Sequence, residues 1–188
     1  MNENIGIYVI LGVVAVFLIW VITMYNSLVR LKYQCRDAWS NIDTELKRRY
    51  ELIPNLVETV KGYAKHEQET FKLVTEARNR AVASTGSPAS QAKDENAFVN
   101  SLRQLFAVSE SYPDLKASQN FLKLQSELAN TEDRIQAARR FYNGNVRDLN
   151  TRIEVFPSNF IASLFSFKEE EFFEIEDTGI RNTPQVKL

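Results

Sequence analysis

Twenty consecutive positions, Ile5 to Met24, carry no charged side chain, and the only hydroxyls among them belong to Tyr8 and Thr23. As a helix this run rises about 30 Å at roughly 1.5 Å per residue, the thickness of a bilayer's hydrocarbon core. A helix closes its backbone hydrogen bonds internally, so lipid is a natural surrounding for such a run. Beyond Met24 the pattern changes from a continuous apolar run to stripes. Leu28, Leu31, Cys35, Ala38, Ile42 and Leu46 step by three and four, the spacing of one helix face. Leu56, Val57, Val60, Ala64, Phe71, Val74 and Ala81 make a second stripe, and Phe98, Leu102, Leu105 and Phe106 a third. The fourth and longest runs from Leu124 through Leu128, Ile135, Tyr142, Val146 and Leu149 to Ile153. No stretch alternates with period two for long enough to predict a strand.

Turn-forming residues separate the stripes. Pro54 disfavours helical geometry at Ile53 and suits the first turn of a new helix, which divides helices one and two there. The alternative is that Pro54 kinks one long helix. Ser84 to Ser90 reads as a loop, Ser111 to Asp114 ends the third helix, Ser118 suits an N-cap, and Phe156-Pro157 closes the fourth. Short connections favour antiparallel neighbours. The expected fold is therefore all-α, an N-terminal transmembrane helix followed by an antiparallel up-and-down four-helix bundle. Residues 1–25 form the N-terminal segment and span, 26–167 the bundle with a Phe-rich C-terminal segment, and 168–188 an acidic, flexible tail. In that topology the fourth helix returns to the membrane. A short echo, Tyr25-Asn26-x-x-Val29-Arg30 and Tyr142-Asn143-x-x-Val146-Arg147, agrees with it.

Flanking charge orients the span. No Lys or Arg precedes it, whereas Arg30, Lys32 and Arg36 follow, which places the N-terminus outside and the larger part in the cytoplasm. A cleaved signal peptide would need a basic start, about 7–15 apolar residues and a small-x-small site. Met-Asn-Glu-Asn and the Trp20–Asn26 stretch supply none of these, so the span is read as retained. The single cysteine, Cys35, cannot form an internal disulfide and sits at a core-type position. With 23 basic and 24 acidic residues the net charge is −1, which leaves no basic field for nucleic acid.

Longer blocks are recognisable. Ala38-Trp39-Ser40-Asn41-Ile42-Asp43, Leu46-Lys47-Arg48-Arg49, Leu52-Ile53-Pro54-Asn55-Leu56-Val57 and Val60-Lys61-Gly62-Tyr63-Ala64 together resemble the signature block of the LemA family. Tyr112-Pro113-Asp114-Leu115-Lys116-Ala117, Thr131-Glu132 and Tyr142-Asn143 resemble its second half, and Phe156-Pro157 with the Phe-rich segment its end. The likeness runs from the membrane helix to about Phe167 and leaves out the acidic tail. It implies an all-helical bacterial inner- or plasma-membrane protein, some relatives being associated with magnetosome membranes. It implies no agreed enzymatic activity.

Candidate chemistry is sparse. A di-metal site in a helical bundle needs two Glu-x-x-His pairs, and His66 is the sole imidazole. No Gly-x-Ser-x-Gly elbow and no glycine-rich phosphate loop is present. No enzyme activity, cofactor or metal is expected. Three features remain. Lys47, Arg48 and Arg49 either meet an acidic partner or favour the end of a helix through its dipole. Asn26, Asn55, Glu132, Arg139 and Asn143 interrupt apolar stripes, where buried polar groups need partners. Phe160 to Phe167, with Phe160 and Phe165 as interaction candidates, either folds back on the bundle or lies in the lipid interface. Glu169, Glu170, Glu171 and Glu174 follow it, which an anionic leaflet repels, so docking on the bundle is favoured. The functional expectation is a non-enzymatic, membrane-anchored interaction or scaffold protein of the bacterial cell envelope. Its partners are the bilayer through Ile5–Met24 and unidentified membrane or cytoplasmic proteins. The alternative is a self-assembling sensor or membrane-remodelling element. Gly12 and Ala15 are too thin a small-residue pair to specify helix pairing, so a homo-oligomer stays open.

Overall fold

A computed structural model of the chain describes residues 3–175, with side-chain surroundings from residue 6 onward. The described residues form helices joined by turns and loops, without a strand. Six helices follow in order: α1 (Glu3–Tyr63), α2 (Gln68–Ala83), α3 (Pro88–Glu110), α4 (Pro113–Lys116), α5 (Gln119–Glu154) and α6 (Ser158–Leu164). The expected count of four is therefore replaced by six. The extra elements are the single turn α4 and the two-turn α6, both opened by prolines after a longer helix.

The expected break at Pro54 does not occur. α1 passes through it and ends at Tyr63, and the chain turns over residues 64–67 instead. A proline inside a helix has no N–H for the carbonyl four residues earlier, which here is Tyr50 O. That carbonyl is satisfied from another helix, because Arg78 Nε on α2 donates to it at 2.8 Å. A tertiary donor replaces the missing helical one, so the helix continues. The second apolar stripe accordingly splits between the end of α1 and all of α2, whose buried residues are Phe71, Val74, Ala77 and Ala81. The loop expected to reach Ser90 is shorter, because Pro88 takes the first turn of α3, where its missing N–H costs nothing.

Packing groups the residues into two units. One holds α1 up to Ser40, α5 from Arg140 and the segment to Glu170; the other holds Asn41–Arg139 with the residues from Glu171. In the first, the α1 residues of the apolar run are exposed from Ile7 to Ile19, Trp20 and Val21 are half-buried, and full burial begins at Leu28. Gly6 onward is thus a helix long and apolar enough to cross a membrane. The buried residues of this unit include Leu28, Cys35 and Ala38 of α1 and Tyr142, Val146 and Leu149 of α5. Trp39 meets Tyr142 edge-on at 5.3 Å, and Arg152 reaches Met24 Sδ at 3.2 Å, so the two helices run antiparallel.

The beginning of the acidic segment is packed, contrary to a flexible tail starting at residue 168. The Asn150 side chain brackets the Glu170 backbone, donating to its carbonyl at 2.9 Å and accepting from its N–H at 3.0 Å. In the second unit Phe173 is fully buried and Ile175 O accepts from Arg139 at 2.6 Å. The remainder of the tail, from residue 176, lies outside the described residues. That second unit also contains α2 packed on α3.

Candidate functional site

Within the second unit, α1, α3 and α5 each contribute to one buried charged cluster. Arg49 is 2% exposed, although it stands beside the exposed Lys47 and Arg48. Its Nη1 donates to Glu132 Oε2 on α5 at 2.8 Å, and its Nη2 pairs with Glu95 on α3. The second Glu95 oxygen accepts the Tyr50 hydroxyl. Phe98 closes the group, with the Arg49 guanidinium 5.3 Å from its ring centre and Tyr50 edge-on to it at 5.8 Å. Arg49 Nε has no hydrogen-bond partner among the described residues.

Burial dominates the electrostatics of this cluster. It pushes the Glu95 carboxyl above its ordinary range, while the Arg49 charge and the Tyr50 hydroxyl draw it back. Burial, then the Glu95 charge, raises the Tyr50 hydroxyl so far that it stays a proton donor. Glu95 is enclosed, whereas the Glu132 side chain is 38% exposed and opens the cluster towards a cleft of about 340 Å³. Arg49, Glu132 and Arg139 line its polar side, and Leu102, Phe106 and Leu128 its apolar side. A guanidinium held between two carboxylates has its charge met, so the arrangement is suited to fixing three helices in register. It presents no free nucleophile. Among the described residues no three His, Cys, Asp or Glu side chains converge as metal ligands do.

The sequence candidates are thus dispersed. Lys47 is exposed and pairs with Asp43 at 2.6 Å, one turn earlier, and Arg48 is exposed beside it. Neither marks the end of a helix, since α1 runs a further four turns, so the dipole explanation does not apply to them. Asn26 and Asn55 are exposed rather than buried. Glu132 and Arg139 are half-buried and belong to the cleft. Glu95 and Tyr50 were not singled out from sequence. A signal was present, because Arg49 continues the series Ile42, Leu46, Ile53, and Glu95 lies between Ala92 and Phe98 on the α3 stripe.

In the first unit, Phe165 and Phe167 stand against Tyr25 with ring centres 4.7 and 5.8 Å away. Ile161 and Ala162 of α6 are buried, whereas Phe160 is exposed. The Phe-rich segment therefore docks by one face only. Cys35 is buried, and burial pushes its thiol up to about 11, which keeps it protonated and unreactive at neutral pH.

The chain is similar to several known proteins. Magnetosome protein MamQ 2 of Paramagnetospirillum magneticum is 27% identical over 94% of this chain and 73% of its own length. Protein LemA of Metamycoplasma hominis is 28% identical over 84% of this chain and 75% of its own length. Magnetosome protein MamQ of Magnetospirillum gryphiswaldense is 25% identical over 94% of this chain and 75% of its own. The LemA family model matches residues 38–188, beginning past the apolar run and including the acidic end that the motif likeness left out. On that match, which covers most of the sequence and every residue of the Arg49 cluster, the chain belongs to the LemA family.

Proposed function

We propose that this protein is a membrane-anchored helical scaffold of the bacterial cell envelope, without catalytic activity, whose N-terminus lies outside and whose helical part faces the cytoplasm. One observation carries the reading. The surface of α1 is exposed and apolar on every side from Gly6 to Ile19, is half-buried at Trp20 and Val21, and from Leu28 is a one-sided stripe whose apolar residues are buried. A helix apolar on all sides suits lipid, and a helix apolar on one side suits a protein core. The basic residues Arg30, Lys32 and Arg36 directly after the run support the cytoplasmic orientation. Membership of the LemA family, with magnetosome proteins among the relatives, agrees with a role in organising a membrane. The principal buried polar cluster holds helices together, which agrees with a binding surface rather than a reaction centre.

Fusion of a fluorescent protein and, separately, a periplasmic phosphatase to the C-terminus of the full chain tests the topology. Fluorescence with an inactive phosphatase is expected, and the reverse pattern overturns the orientation. Proximity labelling from the same C-terminus then tests the scaffold: reproducible labelling of a restricted set of neighbours is expected. Labelling indistinguishable from that of an unrelated anchored helix removes the scaffold.

A further inference from the structure

α6 and the turn before it carry an exposed apolar face near the end of the apolar run. Phe156, Phe160 and Leu164 are 78%, 65% and 72% exposed. They follow one another at four-residue steps, and the Phe156 and Phe160 rings stack edge-on at 5.9 Å. Ser158, Ile161 and Ala162, on the other face, are buried. Two large exposed side chains on α6 and a third on the turn before it are more than the scattered exposed apolar residues of an ordinary surface.

The position of this face is fixed by its neighbours in the same unit. Phe165, next after α6, packs on Tyr25, which directly follows Met24 at the end of the apolar run. Arg152, near the end of α5, reaches Met24 itself. Trp20 and Tyr25 bracket that point, and such amphipathic rings sit at headgroup level in membranes. Phe165 and Arg152 thus bring α6 close to the end of the apolar run.

The acidic residues that follow do not stay at this level. A turn with Ser166 at φ 56° reverses the chain, with Phe167 N–H bonded to Ala162 O at 2.9 Å and Ser166 N–H to Ser163 O at 3.1 Å. This is the hydrogen-bond pair of a Schellman closure, placed so that Phe167 returns to Tyr25. From there the segment climbs away. Asn150 holds the Glu170 backbone, and the Glu170 carboxylate lies close enough to Cys35 to raise its thiol. The start of the acidic run is thus tied to α5 at Asn150.

We propose that α6 is a second membrane contact, with Phe156, Phe160 and Leu164 seated in the headgroup–acyl boundary of the leaflet from which α1 emerges. It rests on α1 spanning the bilayer, and it makes the protein's attachment two-pointed. A span alone leaves the helix free to rotate about its own axis; a second, off-axis contact selects one rotational setting.

Nitroxide labels on the full-length protein in proteoliposomes of phosphatidylethanolamine and phosphatidylglycerol test this. In a Cys35→Ala background, single cysteines replace Phe17, Phe141, Phe160 and Leu164, all of them exposed, so no core contact is lost. Collision rates with oxygen, which enriches in lipid, and with a water-soluble nickel chelate are compared. The expected result is a nickel rate at 160 and 164 several-fold below that at 141, with an oxygen rate several-fold above it, as at 17. Nickel access at 160 and 164 equal to that at 141, with 17 in lipid, overturns the α6 contact while leaving the span intact. Water at 17 as well overturns the span and this inference together. Shielding of 160 and 164 from both reagents, with spin–spin broadening that grows with protein density, assigns the face to a second copy and overturns the lipid contact.

Discussion

The two stretches of α1 share one backbone and differ in what surrounds them. From Gly6 to Ile19 apolar side chains point in every direction and stay exposed; from Leu28 to Val60 the buried and half-buried apolar residues recur at helical spacing along one face. A continuous helix therefore carries two hydrophobicity patterns, each matched to a different solvent. The second stretch tolerates what the first does not. It contains a proline and a buried arginine, each met by a contact from a distant part of the chain, and a buried cysteine.

The largest expected effect lies at Arg49, where the second stretch departs furthest from an apolar run. Arg49→Met leaves Glu95 enclosed without its cation, and breaking a buried pair in this way costs about 3–5 kcal/mol. Urea unfolding of the detergent-solubilised protein, followed by circular dichroism, measures it; an unchanged midpoint sinks the assignment of the cluster as a three-helix tie. The deficit also depends on pH. Burial raises the folded-state value of Glu95, so its protonated form is favoured on folding, and the variant recovers stability as pH falls towards the carboxylate range.

A matched pair of substitutions addresses the comparison directly. Leu28→Ala removes a fully buried side chain and costs about 2–5 kcal/mol, whereas Leu11→Ala, in the exposed run, shifts the same unfolding midpoint by less than about 0.5 kcal/mol. Equal losses at the two positions dissolve the distinction between the stretches.

The smallest expected effect is a coupling. Arg78→Met orphans the Tyr50 carbonyl and costs about 1–3 kcal/mol. With Pro54→Ala already present, residue 54 regains an N–H that can serve that carbonyl, so the loss shrinks. The same loss in both backgrounds rejects the explanation given for the unbroken helix.

Legibility in the sequence followed the range of the interactions. The apolar run, the helical class, the loop before Pro88 and the end of α5 before Pro157 depend on local spacing and turn chemistry, and all were readable. Pro54 was not, because the donor that sustains the helix, Arg78, lies 28 residues from the carbonyl it serves. Arg49 was misplaced because its two basic neighbours suggested a surface patch, while its partners lie 46 and 83 residues away. Its place on the Ile42–Leu46–Ile53 series outweighed its charge, and that periodicity was the better guide. For Phe160 to Phe167, the sequence pattern does not separate the face that docks, Ile161 and Ala162, from the face that stays exposed, Phe160 and Leu164.

Two helices lying side by side can slip past one another by one turn, about 5.4 Å, with much of their apolar contact preserved. The pairing of Arg78 with Tyr50 opposes that slip. A regular helix offers no spare carbonyl in its interior, but Pro54 creates a single one, at a fixed height on α1. Any other height leaves the Tyr50 carbonyl without its Arg78 donor. The irregularity in α1 thus acts as a notch that tells α2 where to stop.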